Sequence, residues 1–116
     1  MNSPACYRVS LTRSARDDLA GIGRYRASLR GLGDAERLLD SILQTIATLE
    51  HFPLRGPAPK ELEASGENKV RQTQRGLYRI IYEIIYEVAD ATVTVFLIAD
   101  GRRDMQTLLA ARLLAP

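Results

Sequence analysis

The chain has 116 residues, of which 46% are hydrophobic and 26% are charged, a composition typical of a soluble globular protein. This length fits one folding unit, so we predict a single domain over residues 1–116. The 16 basic and 14 acidic side chains leave a net charge of +2, which is too small by itself to indicate a nucleic-acid-binding protein.

Membrane insertion and secretion are disfavoured by the sequence. No apolar run approaches the ~18 residues of a membrane span, and the N-terminus lacks the basic flank and apolar stretch of a signal peptide. Cys6 is the only cysteine, so no disulfide can form within the chain. We therefore expect a cytoplasmic protein with no membrane partner, and we interpret Cys6 as a small buried hydrophobic residue.

In chain order, the first predicted elements are a strand and a helix. Tyr7–Leu11 alternates apolar and polar side chains, which is the period of a β-strand. Ser14 begins a Ser-x-x-Asp pattern that resembles a capping box, so it predicts the start of a helix. Gly31 and Gly33 are predicted to end that helix.

A second helix is predicted to start at Asp34, which we interpret as its N-cap. Its apolar residues recur at helical spacing, and the helix ends ahead of Phe52-Pro53 because the residue before a proline is disfavoured in a helix. The Pro- and Gly-rich stretch 53–68 predicts a surface loop, with a short turn at Glu61-Leu62.

The period returns to two in the second half of the chain. The predicted strands are Lys69–Gln74, Tyr78–Val88 and Thr92–Ala99. Turns are expected at Arg75-Gly76 and Ala89–Ala91, and Met105–Leu114 predicts a short helix. We therefore predict an α+β fold, in which a small antiparallel sheet includes an N-terminal strand and carries the two-helix hairpin on one face.

Metal and hydrolytic chemistry are disfavoured. His51 is the only histidine, and with one His and one Cys a zinc site would need mostly carboxylates, so we predict no metal and no cofactor. Asp17 and Asp18 are adjacent on a helix and point in different directions, which makes a poor acid–base pair. The sequence also lacks a phosphate-binding Gly-rich loop and a Gly-x-Ser-x-Gly turn.

Positive charge is concentrated in the second half of the chain. Residues 69–116 carry 7 basic and 5 acidic side chains, whereas residues 1–68 carry 9 of each. If the last two strands pair as a hairpin, Arg79 and Arg103 approach one another, and clustered guanidinium groups usually bind phosphate or carboxylates. A solvated surface is the alternative. The candidate anion- or target-binding residues are Lys69, Arg71, Arg75, Arg79, Arg102 and Arg103.

Four stretches together carry a family resemblance: LTRSARDDLAGIGRY, LEHFPLRG, YRIIYE and TVTVFLIADGRRD. In this order and spacing they resemble the ParE/RelE superfamily, the toxins of bacterial type II toxin–antitoxin modules, which includes plasmid stabilisation proteins. The resemblance runs from Tyr7 to about Leu113. It implies a small antiparallel sheet with a helical hairpin packed on it, in agreement with the fold predicted from periodicity.

The resemblance implies one of two activities. RelE-like members cleave messenger RNA on the ribosome, using Lys and Arg on the sheet and a Tyr or His near the C-terminus, whereas ParE-like members are understood to poison DNA gyrase. Arg79 and Arg103 match positions that fit both branches. If the chain were RelE-like, its catalytic residues would be Arg71, Arg79 and Arg103.

The chain departs from the RelE pattern. Val70 and Gln72 occupy the positions that align with the RelE lysine pair, and the C-terminal tyrosine falls near Leu109, which cannot exchange a proton. We therefore predict a non-enzymatic, ParE-like inhibitor of gyrase. The alternatives are a ribosome-dependent endoribonuclease and a non-toxic protein that only binds antitoxin.

The resemblance also implies partners. A cognate antitoxin is expected to wrap the helical hairpin with a segment that folds on binding. The predicted antitoxin-binding residues are Leu19, Ile22, Tyr25 and Leu39, and a position in the core is the alternative for the leucines and the isoleucine. DNA gyrase is the expected target, with the ribosome and messenger RNA as the alternative.

One feature of the long strand is unusual, because Ile-Ile-Tyr-Glu occurs twice in succession between residues 80 and 87. The family that the chain resembles has this wording once, so the second copy amounts to an insertion of four residues. Such an insertion keeps every later side chain on its original face of the sheet and lengthens the strand by ~13 Å, at about 3.3 Å per residue. Since Thr92–Ala99 has no matching insertion, we expect Glu83 to face the Gly-Arg-Arg-Asp end, with Arg79 carried beyond it. A bulge or larger loop that keeps Arg79 beside Arg103 is the alternative.

Overall fold

A computed structural model describes residues 6–66, 69–87 and 90–114 of the chain. Its elements are β1 (Arg8–Leu11), α1 (Arg13–Arg30), α2 (Leu32–Ala47), β2 (Val70–Arg75), β3 (Tyr78–Glu87), β4 (Asp90–Asp100) and α3 (Met105–Leu114). Two short 3-10 helices, Thr48–Glu50 and Lys60–Ser65, lie between α2 and β2. Across the described ranges, each helix is too short or too polar to cross a membrane.

The four strands form one sheet in the order β1-β4-β3-β2. β2, β3 and β4 are an antiparallel meander, and β1 pairs with β4 in parallel, so the sheet is mixed. The predicted α+β class, with an N-terminal strand in the sheet and a helical hairpin on it, is confirmed. The turn predicted near Glu61 is also present, as the 3-10 helix Lys60–Ser65.

The two faces of the sheet are covered by different elements. The hairpin of α1 and α2 packs on one face, and its core cluster includes Ile42 of α2 and Tyr82 of β3. The other face packs against α3 and the 3-10 helix Lys60–Ser65, with a cluster that includes Ile81, Leu109 and Leu62. Neighbouring residues of β3 thus belong to opposite layers, as the alternation of a strand requires.

A β-bulge in β4 changes which of its side chains face the hairpin. Ile81 pairs with Leu97 and Tyr82 pairs with Val95, so Phe96 is an extra residue on β4. Before the bulge, Val95 faces the hairpin, whereas after it Leu97 faces α3. β4 is apolar on both faces over its last residues because the hairpin covers one face and α3 covers the other.

The doubled Ile-Ile-Tyr-Glu lengthens β3 without making it protrude. Arg79 is paired with Ala99 at the end of β4, and Glu83 is paired with Thr94 in its middle, so the expectation that Glu83 faces the Gly-Arg-Arg-Asp end is wrong. The expectation fails because β4, the partner strand of β3, is longer than predicted. β4 begins at Asp90, ahead of the predicted start, and the bulge adds a residue, so the two strands match in length.

The start of α1 also differs from the prediction. Thr12, not Ser14, is the N-cap, and its hydroxyl oxygen accepts a hydrogen bond of 3.1 Å from the backbone N–H of Ala15. Residues 88 and 89, predicted as a strand end and part of a loop, lie outside the described ranges.

The turn between the helices is a single residue. Gly31 is the C-cap of α1 and the N-cap of α2, with a φ of 89° that favours glycine. Asp34 is therefore not the predicted cap. It lies in the first turn of α2, where its carboxylate pairs with Arg26, and Gly33 lies inside α2 instead of ending α1.

Candidate functional site

The residues singled out in the sequence surround one end of the sheet, where β3 begins and β4 ends. Arg79 is the second residue of β3, and Gly101 directly follows β4. The backbone N–H of Gly101 donates to the carbonyl of Leu77 at 2.7 Å, which joins the two strand ends. An open cleft lies on each side of the sheet at this end.

On the α3 side, Arg79 forms a buried ion pair. Its guanidinium donates two hydrogen bonds of 2.8 Å to the carboxylate of Glu61, on the 3-10 helix Lys60–Ser65. Its Nε donates to the Oε1 of Gln72 on β2 at 3.0 Å. Only 7% of Arg79 is exposed. Its charge is therefore already neutralised within the chain, by a bidentate contact of the kind that guanidinium groups make with carboxylates.

The partner carboxylate is strongly stabilised in its charged form. Hydrogen bonds from the Arg79 guanidinium lower the pKa of Glu61 from 4.5 to about 2, against the opposing effect of burial. Glu61 is thus ionised at neutral pH. An external anion would have to displace it to reach Arg79.

The cleft on this side has a volume of about 530 Å³ and is lined by cations and amides as well as apolar residues. Arg79, Arg102 and Lys60 contribute positive charge, and Glu63 contributes negative charge. Gly101 is required here, because a Cβ on it would lie 2.9 Å from Cδ of Arg79. The missing side chain lets the stem of Arg79 cross the strand end toward Glu61.

The cleft on the hairpin side has a volume of about 390 Å³ and lies between α1 and the end of β4. Arg103, Tyr25 and Ile22 line it, together with Tyr78 and Asp100. Arg103 is exposed. Arg79 and Arg103 therefore line different clefts on opposite sides of the sheet, although the strand register brings their backbones to the same end.

An ion pair between α1 and α3 covers the edge of β4 beyond the end of β1 and binds its backbone. Asp18 of α1 accepts hydrogen bonds from Arg112 of α3 at 2.8 Å and from the backbone N–H of Ile98 at 3.0 Å. Arg112 also donates to the carbonyl of Phe96 at 2.7 Å. The two side chains thus satisfy backbone groups of β4 that the short β1 does not reach.

The other predicted cations lie apart from one another. Arg71 donates to the carbonyls of Leu54 at 3.3 Å and Gly56 at 3.0 Å, on the loop before β2, and its buried Nε has no partner among the described residues. Arg102 binds Asp100, which lowers the pKa of that carboxyl. Lys69 and Arg75 are exposed at the two ends of β2. The six cations therefore do not form one cluster, and their role in anion or target binding stays a prediction.

The predicted antitoxin-binding residues differ in accessibility. Tyr25 is 65% exposed, whereas Leu19 and Ile22 are partly buried and pack against the core of the hairpin face. Leu39 is also partly buried and lies against Gly23, where a Cβ would be 2.9 Å from its Cδ1. An apolar groove of about 260 Å³ runs between α1 and α2 and includes Leu39.

The sequence does not identify some of the residues at this end of the sheet. The sequence predicts only a turn at Glu61, and no pattern links Glu61 or Gln72 to Arg79, because the three lie on separate elements. The sequence relates Asp18 only to its neighbour Asp17, and it places Arg112 only within a helix. Alternation along the strands was the one available signal, since it places Gln72, Gln74 and Arg79 on one face once the register is known.

One group of side chains within the described ranges has metal-binding character. Donor atoms of Cys6, Glu50 and His51 all lie within 4.8 Å of one another, and all three residues are exposed. The predicted buried position of Cys6 is therefore wrong. The residue precedes β1, where its neighbour Tyr7 occupies the buried position instead.

Comparisons with known proteins bear on this geometry. No curated protein matches the chain. The solved structures that share its fold include three from toxin–antitoxin complexes. The chromosomal ParDE toxin–antitoxin system from P. aeruginosa has a TM-score of 0.65 at 17% identity, over 84% of this chain and 98% of that chain. The RelBE2 toxin–antitoxin complex from Mycobacterium tuberculosis has a TM-score of 0.58 at 23% identity, over 86% and 97%.

The third structure is the archaeal RelE–RelB complex from Pyrococcus horikoshii OT3, with a TM-score of 0.53 at 15% identity, over 84% of this chain and 98% of that chain. A family model describing the ParE toxin of the type II toxin–antitoxin system parDE matches residues 9–105. This match spans both the helical hairpin and the sheet end that carries Arg79 and Arg103. The chain therefore belongs to the ParE toxin family of type II toxin–antitoxin systems.

Proposed function

We propose that the chain inhibits DNA gyrase without acting as an enzyme, and that a cognate antitoxin neutralises it. The observation that carries this proposal is Leu109, near which the proton-transferring C-terminal tyrosine of RelE-like toxins is expected to fall. Leu109 is only 1% exposed and packs in the core beneath α3. It cannot donate or accept a proton in RNA cleavage.

The state of Arg79 supports the same conclusion. Its guanidinium is bound by Glu61 and Gln72, so it is not available to stabilise the charge of a phosphate undergoing cleavage. No tyrosine or histidine of the described ranges lines the cleft around it. We therefore assign Arg79 and Arg71 to holding the fold, and target binding to the exposed cations Lys69, Arg75, Arg102 and Arg103.

The test is a supercoiling assay with purified gyrase and the antitoxin-free chain. We expect loss of supercoiling and trapped cleavage complexes. Arg103→Ala should weaken inhibition by roughly fivefold, equivalent to about 1 kcal/mol for an exposed charge contact. Arg16→Ala is the matched control, because Arg16 is an exposed arginine of α1 that lines neither cleft. Normal supercoiling at excess toxin would reject the proposal, and cut messenger RNA in a cell-free translation system would favour the ribosome as target.

We propose that the antitoxin binds across the hairpin and into the cleft that Tyr25 shares with Arg103. Tyr25 offers an exposed aromatic ring, and Arg103 offers a cation for a carboxylate of the antitoxin. Tyr25→Ala should lower antitoxin affinity by roughly tenfold or more, as for an aromatic residue at an interface. Leu114→Ala, which truncates an exposed leucine of α3, is the control and should bind normally. Equal affinities for the two variants would argue against this surface.

A further inference from the structure

The single cysteine and the single histidine of the chain lie together in the structure. They come from segments more than 40 positions apart, and the carboxylate of Glu50 completes the group. A thiol, an imidazole and a carboxylate thus share a region in which the donor atoms are all within 4.8 Å of one another. No other group of at least three such side chains converges in this way within residues 6–66, 69–87 and 90–114.

The backbone holds the two segments in place. The N–H of Tyr7 donates to the carbonyl of Glu50 at 2.6 Å, and Tyr7 itself is buried in the core of the hairpin face. Cys6 is therefore held next to the end of the 3-10 helix Thr48–Glu50. His51 follows that helix, and its ring lies against Phe52, with the ring centroids 6.1 Å apart.

We propose that Cys6, Glu50 and His51 bind a divalent transition-metal ion, with Zn²⁺ as the ion that their donors suit best. Zinc takes cysteine sulfur at about 2.3 Å and histidine nitrogen or carboxylate oxygen at about 2.0–2.2 Å. Tetrahedral geometry then sets the donors roughly 3.3–3.6 Å apart. The side chains need to close by no more than about 1.5 Å, which exposed side chains can do by changing rotamer.

The chemistry of the donors selects the class of ion. A thiolate and an imidazole favour zinc and its transition-metal neighbours, whereas magnesium and calcium require mainly oxygen donors. The present contact between Cys6 Sγ and Glu50 Oε2 is 3.9 Å long, so the metal would take the place of a weak hydrogen bond between these two ligands. With three protein ligands on the surface, the fourth position is open to water.

The test uses the full chain without any added histidine or cysteine, titrated with Co²⁺ under reducing conditions and then with Zn²⁺. We expect one Co²⁺ per chain, a thiolate-to-cobalt charge-transfer band, and loss of that band when Zn²⁺ is added. Because Cys6 is the only cysteine, a thiolate band can arise only from this site. Zn²⁺ should also raise Tm, since it binds the folded chain.

Variants of each ligand complete the experiment. Cys6→Ser should abolish the band, and His51→Gln and Glu50→Gln should each weaken Zn²⁺ binding by at least the ~10–100-fold lost with an outer-shell partner. Glu63→Gln, an exposed glutamate on another segment, is the control and should bind normally. The proposal is overturned if Co²⁺ gives no thiolate band, if Cys6→Ser binds Zn²⁺ as tightly as the native chain, or if one metal is bound by two chains.

Discussion

At the scale of the residue, the buried charge of Arg79 depends on a countercharge from within the chain. Its position in the chain identified it as part of an anion-binding group. The structure supplies the anion from within, as the carboxylate of Glu61. This contact could not be predicted, because Glu61 lies in a 3-10 helix whose placement against the sheet depends on tertiary packing.

Glu61→Gln should therefore destabilise the protein markedly. The substitution keeps the shape of the side chain but leaves the buried guanidinium of Arg79 without a countercharge, and breaking a buried pair in this way costs about 3 kcal/mol or more. Urea denaturation would measure the change in the free energy of unfolding. Glu63→Gln, an exposed change on the same 3-10 helix, should alter it by less than about 0.5 kcal/mol. Equal effects of the two substitutions would mean that the pair contributes nothing.

The same carboxylate predicts a dependence on pH. The folded chain holds the pKa of Glu61 at about 2, against 4.5 for the unfolded residue. Between these values the unfolded chain binds the extra proton, so stability contributed by Glu61 is complete above pH 4.5 and is lost as pH falls toward 2. The loss amounts to about 3 kcal/mol. The difference in unfolding free energy between the native chain and Glu61→Gln, measured from pH 6 to 2 (roughly the window of carboxyl titration), should shrink across that range. A constant difference would contradict the assignment.

At the scale of the element, the sequence predicts the bounds of strongly periodic segments well, but it does not predict how the strands pair. The limits of α3 agree with the prediction, and β3 was placed correctly from its first residue. The start of β4 was set too late because its first residues look like a turn, and the bulge at Phe96 has no sequence signal. Two local errors in one strand were enough to place Glu83, wrongly, opposite the Gly-Arg-Arg-Asp end.

The loop before β2 gives a prediction at this scale. A Cβ on Gly56 would lie 2.1 Å from the carbonyl oxygen of Gln72 and 2.8 Å from the hydroxyl of Tyr82, so backbone and core both exclude a side chain there. Gly56→Ala should destabilise the protein by about 2 kcal/mol or more, as overpacking does.

Gly33→Ala is the matched control for this change. The nearest atom to its Cβ would be a guanidinium nitrogen of Arg37 at 3.6 Å, and alanine is the better helix former, so this variant should be stabilised by up to about 1 kcal/mol. Thermal unfolding of both variants should show a lower Tm for Gly56→Ala and a higher Tm for Gly33→Ala than for the native chain. A neutral Gly56→Ala would show that the loop can move away from β2.

At the scale of the whole molecule, two layers that pack on opposite faces of the sheet are joined at its edge. The α+β class and the hairpin were predictable from periodicity, because the apolar faces of α1 and α2 require a sheet to cover them. The ion pair that joins α1 to α3 was not predictable, because Asp18 and Arg112 are separated by most of the chain. Their contact depends on β1 being short, which leaves the end of β4 uncovered.

Asp18 and Arg112 should therefore act as one unit in stability. Their side chains are 15% and 21% exposed, and each also binds the backbone of β4, so neutralising either one leaves the charge of the other poorly solvated and without its countercharge. Asp18→Asn and Arg112→Gln should each lower the free energy of unfolding, and the double variant should lose less than their sum by about 1.5–3 kcal/mol. Asp17→Asn, at the exposed neighbouring position, is the control and should change little.

Hydrogen exchange supplies the second measurement: amides of α3 should exchange faster in Asp18→Asn, because the helix loses its ion pair with α1. Strictly additive effects, with α3 protected as before, would show that packing against the sheet alone holds the terminal helix.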